Sequence, residues 1–103
     1  MNVCVIEGRM TKDPELKMTT NGKEVCHFRL AVPRSKDKVD FIQFVAWDQN
    51  ARFLENFVRK GAWVTVEGAL RQVMYTDKNG NDVNSYEIES ILVSSHCGVC
   101  RND

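Results

Sequence analysis

No stretch of this chain is apolar for the roughly 18 residues that crossing a bilayer requires, which excludes a membrane-spanning helix. The opening Met1-Asn2-Val3-Cys4 has no basic segment ahead of an apolar one, so it does not read as a secretory leader, and the expected compartment is the cytoplasm. Neither charge is in excess. Across 103 residues, 14 Lys and Arg balance 14 Asp and Glu, unlike the basic balance common among nucleic-acid binders. A neutral total still allows a basic groove opposite an acidic face, because counterion release depends on local charge. Histidine is scarce, and His27 and His96 have no partners at catalytic spacing. P-loop, nucleophile-elbow and HExxH motifs are all missing. Asp13, Glu15 and Asp37 fall in turns, where carboxylates serve the backbone. No catalytic centre and no cofactor are expected. Repeats, linkers and low-complexity segments are also lacking, so residues 1–95 read as one domain and 96–103 as a short tail.

What is present is a set of short β-like runs separated by turn signals. Val3 to Met10 is apolar and β-branched, with Gly8 expected to mark a bulge or bend. Turns are expected at Asp13-Pro14 and Asn21-Gly22, with Leu16 to Met18 between them. Val25 to Val32 alternates, placing Cys26, Phe28 and Leu30 on one face and His27 and Arg29 on the other. Pro33 is expected to end that strand. Phe41 to Trp47 carries Ile42, Phe44 and Ala46 on one face and Phe41, Val45 and Trp47 on the other. Asp48 suits a helix N-cap. From Gln49 to Lys60, residues Ala51, Leu54, Phe57 and Val58 recur at helical spacing, Glu55 and Arg59 form an i,i+4 pair, and Gly61 is the natural stop. Ala62 to Thr76 and Val83 to Val93 then read as a hairpin turning at Asn79-Gly80, with Val64 and Val66 on one face and Trp63, Thr65 and Glu67 on the other. Three strands, a helix and two strands are the order of an all-β, five-stranded Greek-key barrel of the oligonucleotide/oligosaccharide-binding (OB) type, with one α-helix between strands 3 and 4.

Several segments occur in the order and spacing of one family. They are Asn2 to Arg9, Asp13-Pro14-Glu15-Leu16, Asn21-Gly22, Phe28 to Val32 and Asp40-Phe41-Ile42. Arg59-Lys60-Gly61, Val66 to Leu70, and Tyr75-Thr76-Asp77 with Gly80 complete the set. On these the chain resembles bacterial and phage single-stranded DNA-binding proteins over nearly its whole length. The resemblance implies an OB fold, sequence-tolerant binding of single-stranded DNA in replication, recombination or repair, association with the nucleoid, and a homotetramer, with a dimer as the alternative.

Binding without sequence preference needs flat π-faces on which bases stack and cations that follow the phosphates. Phe41, Trp47 and Tyr75 match the family's stacking positions, and strand alternation turns Phe41, Gln43 and Trp47 outward. Arg34, Lys36 and Lys38 occupy the connection that in the family is a flexible arm. Lys60 and Arg71 match basic positions of the binding surface, and alternation sets Arg29 beside them. Each residue also has a structural alternative. Phe41 and Trp47 suit a core, Tyr75 cross-strand packing, Arg34, Lys36 and Lys38 a solvated loop, and Lys60 the helix C-terminus. Trp63 suits a subunit interface, and His27 a polar surface or interface position.

The chain departs from the family pattern in four places. The 32–41 connection is short, and Gln43 and Val73 stand where relatives often carry arginine. The chain also stops at Asp103, without the acidic tail by which cellular members recruit repair enzymes, so a truncated or tailless member is expected. Cys4 and Cys26 read as free buried thiols. His96, Cys97 and Cys100 could contribute to a zinc site, but a second paired motif is lacking, and a reduced tail without metal is expected. A second hypothesis is a primosomal-type OB adaptor that docks replication proteins and binds DNA weakly. The stacking aromatics argue against it.

Overall fold

The computed structural model describes residues 1–95, so the His96, Cys97 and Cys100 cluster lies outside the described residues. The elements in chain order are β1 (Cys4–Met10), β2 (Lys17–Met18), β3 (Glu24–Ser35), β4 (Lys38–Trp47), α1 (Gln49–Phe57), β5 (Trp63–Thr76) and β6 (Asp82–Ser95). With β2 only two residues long, the helix separates the third and fourth of the five long strands. Pairing runs from β1 to β5, β6, β4 and β3, and returns from β3 to β1 through Arg9↔Ala31 and Met10↔Leu30. The sheet is therefore a closed barrel, in which the short β4–β6 ladder (Phe44↔Ile88, Val45↔Glu89) is parallel and the other pairings are antiparallel. Closure and the interposed helix are the OB architecture.

Alternation dictates which residues fill the barrel. Cys26, Phe28 and Leu30 of β3, Phe44 and Ala46 of β4, and Val64 and Val66 of β5 point inward, and α1 adds Ala51 and Leu54. The Phe28 and Phe44 rings, cross-strand partners, stack with centroids 5.1 Å apart. Two glycines let backbones approach closely. A Cβ on Gly8 would lie 2.7 Å from the Ala31 carbonyl, which explains Gly8 by the β1–β3 contact; its ladder to Val64 continues in register, without the expected bulge. At Gly68 the register shifts, Gly68 pairing with Ser90 and Glu67 with Leu92, so Ile91 is the extra residue of a β-bulge.

Several expectations need correction. Pro33 does not end its strand: β3 continues to Ser35, and Pro33 pairs with Val39 beside a register shift that accommodates a residue lacking an N–H. Asp48 occupies the N-cap position without capping. Its φ of 49° and ψ of −111° turn the carboxylate away from the helix, and Oδ1 accepts a bond from the Glu24 amide at 3.3 Å. The helix ends at Phe57, before Gly61, and leaves Phe57 61% exposed while Phe53 packs on the core. Arg59 bonds the Glu55 and Val58 carbonyls (2.7 and 2.8 Å) in place of the Glu55 carboxylate, satisfying acceptors at the helix end. Val45, expected outside, is buried with its neighbour Val25, apart from the main core.

Burial also sets the chemistry of Cys26. Desolvation pushes its thiol above the usual 9.0, helped by the Glu55 and Glu15 carboxylates and opposed by a hydrogen bond to the Glu15 backbone. Below pH 9 the thiol is neutral whether the chain is folded or unfolded. Above it the unfolded chain ionises first, binds fewer protons than the folded one, and gains population. Stability should therefore fall from pH 9 upward, by at most about 1.4 kcal/mol per pH unit for this one proton. Urea midpoints at pH 8, 9 and 10 for the parent and Cys26→Ala test this. Parallel declines in the two proteins would refute it.

Candidate nucleic-acid interface

Because Phe44 and Ile88 are paired and both point inward, their neighbours Gln43 and Glu87 share the outer face. The register extends that face in both directions. Arg29 lies opposite Gln43 and Ala31 opposite Phe41 across β3–β4, while Arg71 lies opposite Glu87 and Tyr75 opposite Val83 across β5–β6. A single surface across β3, β4, β6 and β5 thus carries Arg29, Phe41, Gln43, Trp47, Arg71 and Tyr75.

Two depressions shape this surface. One, of about 530 Å³, is lined by Thr11, Lys12, His27, Arg29, Gln43 and Glu87, with Phe28 and Phe44 contributing to its floor. The other, of about 460 Å³, brings Trp47 and Arg71 together with Thr19, Asn21, Lys23, Asp48 and Glu89. The β2–β3 turn forms part of its wall, pinned by Thr19, whose N–H donates to the Lys23 carbonyl at 2.8 Å and whose Oγ1 accepts from the Lys23 amide at 3.1 Å.

The aromatic side chains are not core residues. Phe41 is 62% exposed, Tyr75 52%, and Trp47 is half-buried at the end of β4. Phe41 and Tyr75 therefore present ring surface to solvent, which a folded chain has no packing reason to leave there. Tyr75 rides on a β5–β6 arm whose tip is fixed by Asp77, its Oδ1 accepting the amides of Asn79 and Asn81 at 2.9 Å each.

The cations are less uniform. Arg29 is exposed and bonds its carbonyl to the Thr11 amide and hydroxyl, which brings Lys12 alongside. The 32–41 connection is a tight hairpin paired as far as Ser35↔Lys38, with Lys36 and Asp37 as its turn. Arg34, itself exposed, spans it to Asp40 at 3.3 Å, whereas Lys36 and Lys38 are exposed cations with no ion pair among the described residues. Lys60 stands apart from the helix end, its amide donating to Asp13 at 2.7 Å, near Thr11 and Lys12 but in neither depression. Arg71 Nη1 lies 3.0 Å from Glu89 Oε1. Trp63, outside this face, is half-buried beneath the Arg9 guanidinium, 4.7 Å from its ring centroid.

Sequence reasoning missed Lys12, Lys23, Glu87 and Glu89. Lys12 and Lys23 lie in turns, where nothing local marks a direction. The glutamates alternate outward along β6, but only the parallel β4–β6 register carries them onto the same face as the aromatic residues.

A closed barrel with one helix between its third and fourth long strands, carrying aromatics and cations on its outer β3–β4–β6–β5 face, defines an OB-fold module. The profile of the single-strand binding protein family matches residues 1–94. The chain is 38% identical over 96 residues to single-stranded DNA-binding protein A of Bacillus subtilis, covering 87% of this chain and 56% of that protein. It is 39% identical over 94 residues to single-stranded DNA-binding protein 3 of Listeria innocua (85% and 59%). With the single-stranded DNA-binding protein of Fusobacterium nucleatum it shares 36% over 96 residues (85% and 62%). The chain belongs to the single-strand binding protein family, and it spans a little over half the length of these relatives.

Proposed function

We propose that residues 1–95 bind single-stranded DNA without sequence preference across the β3–β4–β6–β5 face. Bases stack on Phe41, Trp47 and Tyr75, while phosphates follow Lys12, Arg29, Lys23 and Arg71, with Lys36, Lys38 and Lys60 at the margins. Gln43 contributes neutral hydrogen bonds in the first depression. The observation that carries this is the solvent exposure of Phe41 and Tyr75 on the same face as Trp47. Each stacked base is worth about 1–3 kcal/mol, so three aromatics could supply most of the affinity. No helix among the described residues is long and apolar enough to cross a membrane.

A second face supports assembly. On the outside of β1, β5 and β6, Val5 and Leu92 are 62% and 57% exposed, and the register places both beside Glu67. Covering these residues with further copies, in a tetramer built on twofold axes, removes that surface from water. Protection of single strands in replication, recombination or repair, at the nucleoid, is the corresponding cellular role, and replication or repair proteins are the natural further partners.

Native mass spectrometry with and without a long oligo-dT reads subunit number and stoichiometry together. Tetramers that take up oligo-dT, with quenched tryptophan fluorescence and strong preference over duplex, are expected. Micromolar protein that leaves oligo-dT free at low salt sinks the binding proposal. A dimer that ignores DNA instead supports the adaptor.

A further inference from the structure

The candidate DNA face carries carboxylates as well as cations. Asp48, Glu87 and Glu89 share the two depressions with Lys12, Lys23, Arg29 and Arg71, so the acidic residues nearly offset the basic ones. Of these, Glu89 and Arg71 are ion-paired, Nη1 to Oε1 at 3.0 Å, with side chains 40% and 51% exposed. The contact is a single one, not the bidentate fork that would hold both groups firmly. Exposed pairs of this kind are weak, and an incoming anion can replace the carboxylate. Lys23 lines the same depression, and no ion pair of its ammonium occurs among the described residues. Arg71 is therefore the cation of this depression whose charge is already answered.

We propose that Glu89 is an affinity-setting residue: an internal counter-ion that occupies Arg71 in the free protein and must be displaced by, or tolerated beside, a DNA phosphate. This rests on the single-strand-binding assignment above. If phosphate takes the Nη1 position, Glu89 loses its partner on a face it cannot leave, being fixed in the Val45↔Glu89 ladder. If phosphate binds another guanidinium nitrogen, Glu89 stays as a like charge next to it. Either route weakens binding. The penalty is greater for a duplex, whose charge density is about twice that of one strand. Glu89 thus lowers affinity while sharpening the preference for single strands.

The test is equilibrium binding of oligo-dT and of a matched duplex to the parent, Glu89→Gln, Glu87→Gln, Arg71→Gln and Glu89→Gln/Arg71→Gln, across a salt series. Glu87→Gln removes the same charge from the same face, yet Glu87 has no ion pair among the described residues. Glu89→Gln should bind oligo-dT about threefold to tenfold more tightly at low salt, gain more for duplex, and steepen the log K against log salt slope by roughly 0.7, one single-strand phosphate contact. Arg71→Gln should weaken binding in both backgrounds, but less in the parent than in Glu89→Gln, where it should remove most of the gain. A parent that binds while Glu89→Gln matches it, or while Glu87→Gln gains as much, overturns the counter-ion role and leaves single-strand binding standing. Failure of both the parent and Glu89→Gln to bind oligo-dT overturns the binding assignment and the counter-ion role with it.

Discussion

Gly68→Ala is expected to lose about 3 kcal/mol or more, the upper part of the range for adding a methyl group to a close-packed interior. A Cβ at this position would lie 2.1 Å from the Glu89 carbonyl oxygen, 2.9 Å from its carbon and 3.0 Å from Ile88 Cγ2. Two of those three atoms are backbone, so relief requires β6 to move. That strand is committed on both sides, to β5 through its long antiparallel ladder and to β4 through Phe44↔Ile88 and Val45↔Glu89. Moving Glu89 therefore strains the short parallel ladder between β6 and β4, and it displaces the carboxylate facing Arg71. Total stability for a domain of this size is only about 5–15 kcal/mol, so the loss is a large fraction of it. At about 4–8 °C per kcal/mol, the melting temperature should drop by about 12–24 °C. Thermal unfolding followed by circular dichroism checks this. A melting point within about 2 °C of the parent would show that the β-bulge flexes and that the close approach is incidental.

The fold was legible where one face of a strand is buried and the other is wet. Cys26, Phe28 and Leu30 alternate with His27 and Arg29 because burial on one face imposes a period of two, and the same holds for Val64 and Val66. Legibility failed where a residue's role depends on contacts distant in sequence. Pro33 looked like a terminator because its own neighbourhood offers no β-bulge; the register shift against β4 supplies one. Asp48 had the composition of a cap, yet its carboxylate serves Glu24, 24 residues away. Phe57 kept helical spacing with the core although the helix ends at that residue. In the candidate site, Phe41, Gln43 and Trp47 were readable from alternation within one strand. Glu89 was not, because no local pattern announces a parallel pairing between β4 and β6. The cations divide in the same way. Arg29 follows from alternation, whereas Lys12 and Lys23 sit in turns whose direction is fixed by bonds to Arg29 and Thr19.

Replacing Trp47 by alanine should weaken oligo-dT binding by about 1–3 kcal/mol, or roughly fivefold to 150-fold, with the salt slope nearly unchanged. The distinction matters because stacking and phosphate contact respond differently to salt: a ring displaces no counterions, whereas a lysine does. Lys23→Ala, in the same depression, should instead flatten the slope by roughly 0.7. Fluorescence separates the two tryptophans. Trp63 lies outside the face beneath Arg9, so Trp63→Phe should retain the quenching that oligo-dT produces, and Trp47→Ala should abolish most of it. Trp47 is half-buried opposite Val25, so some stability must be lost with it, and the variant's unfolding curve has to be measured before its affinity is interpreted. Trp47→Phe guards against misreading, since it keeps a stacking ring with less buried area and should recover most of the affinity. A folded Trp47→Ala protein that binds oligo-dT as tightly as the parent would show that bases do not stack there, and the load would pass to Phe41 and Tyr75. Loss of binding in Trp47→Ala that Trp47→Phe does not restore would place the residue's importance in packing against the barrel instead of against DNA.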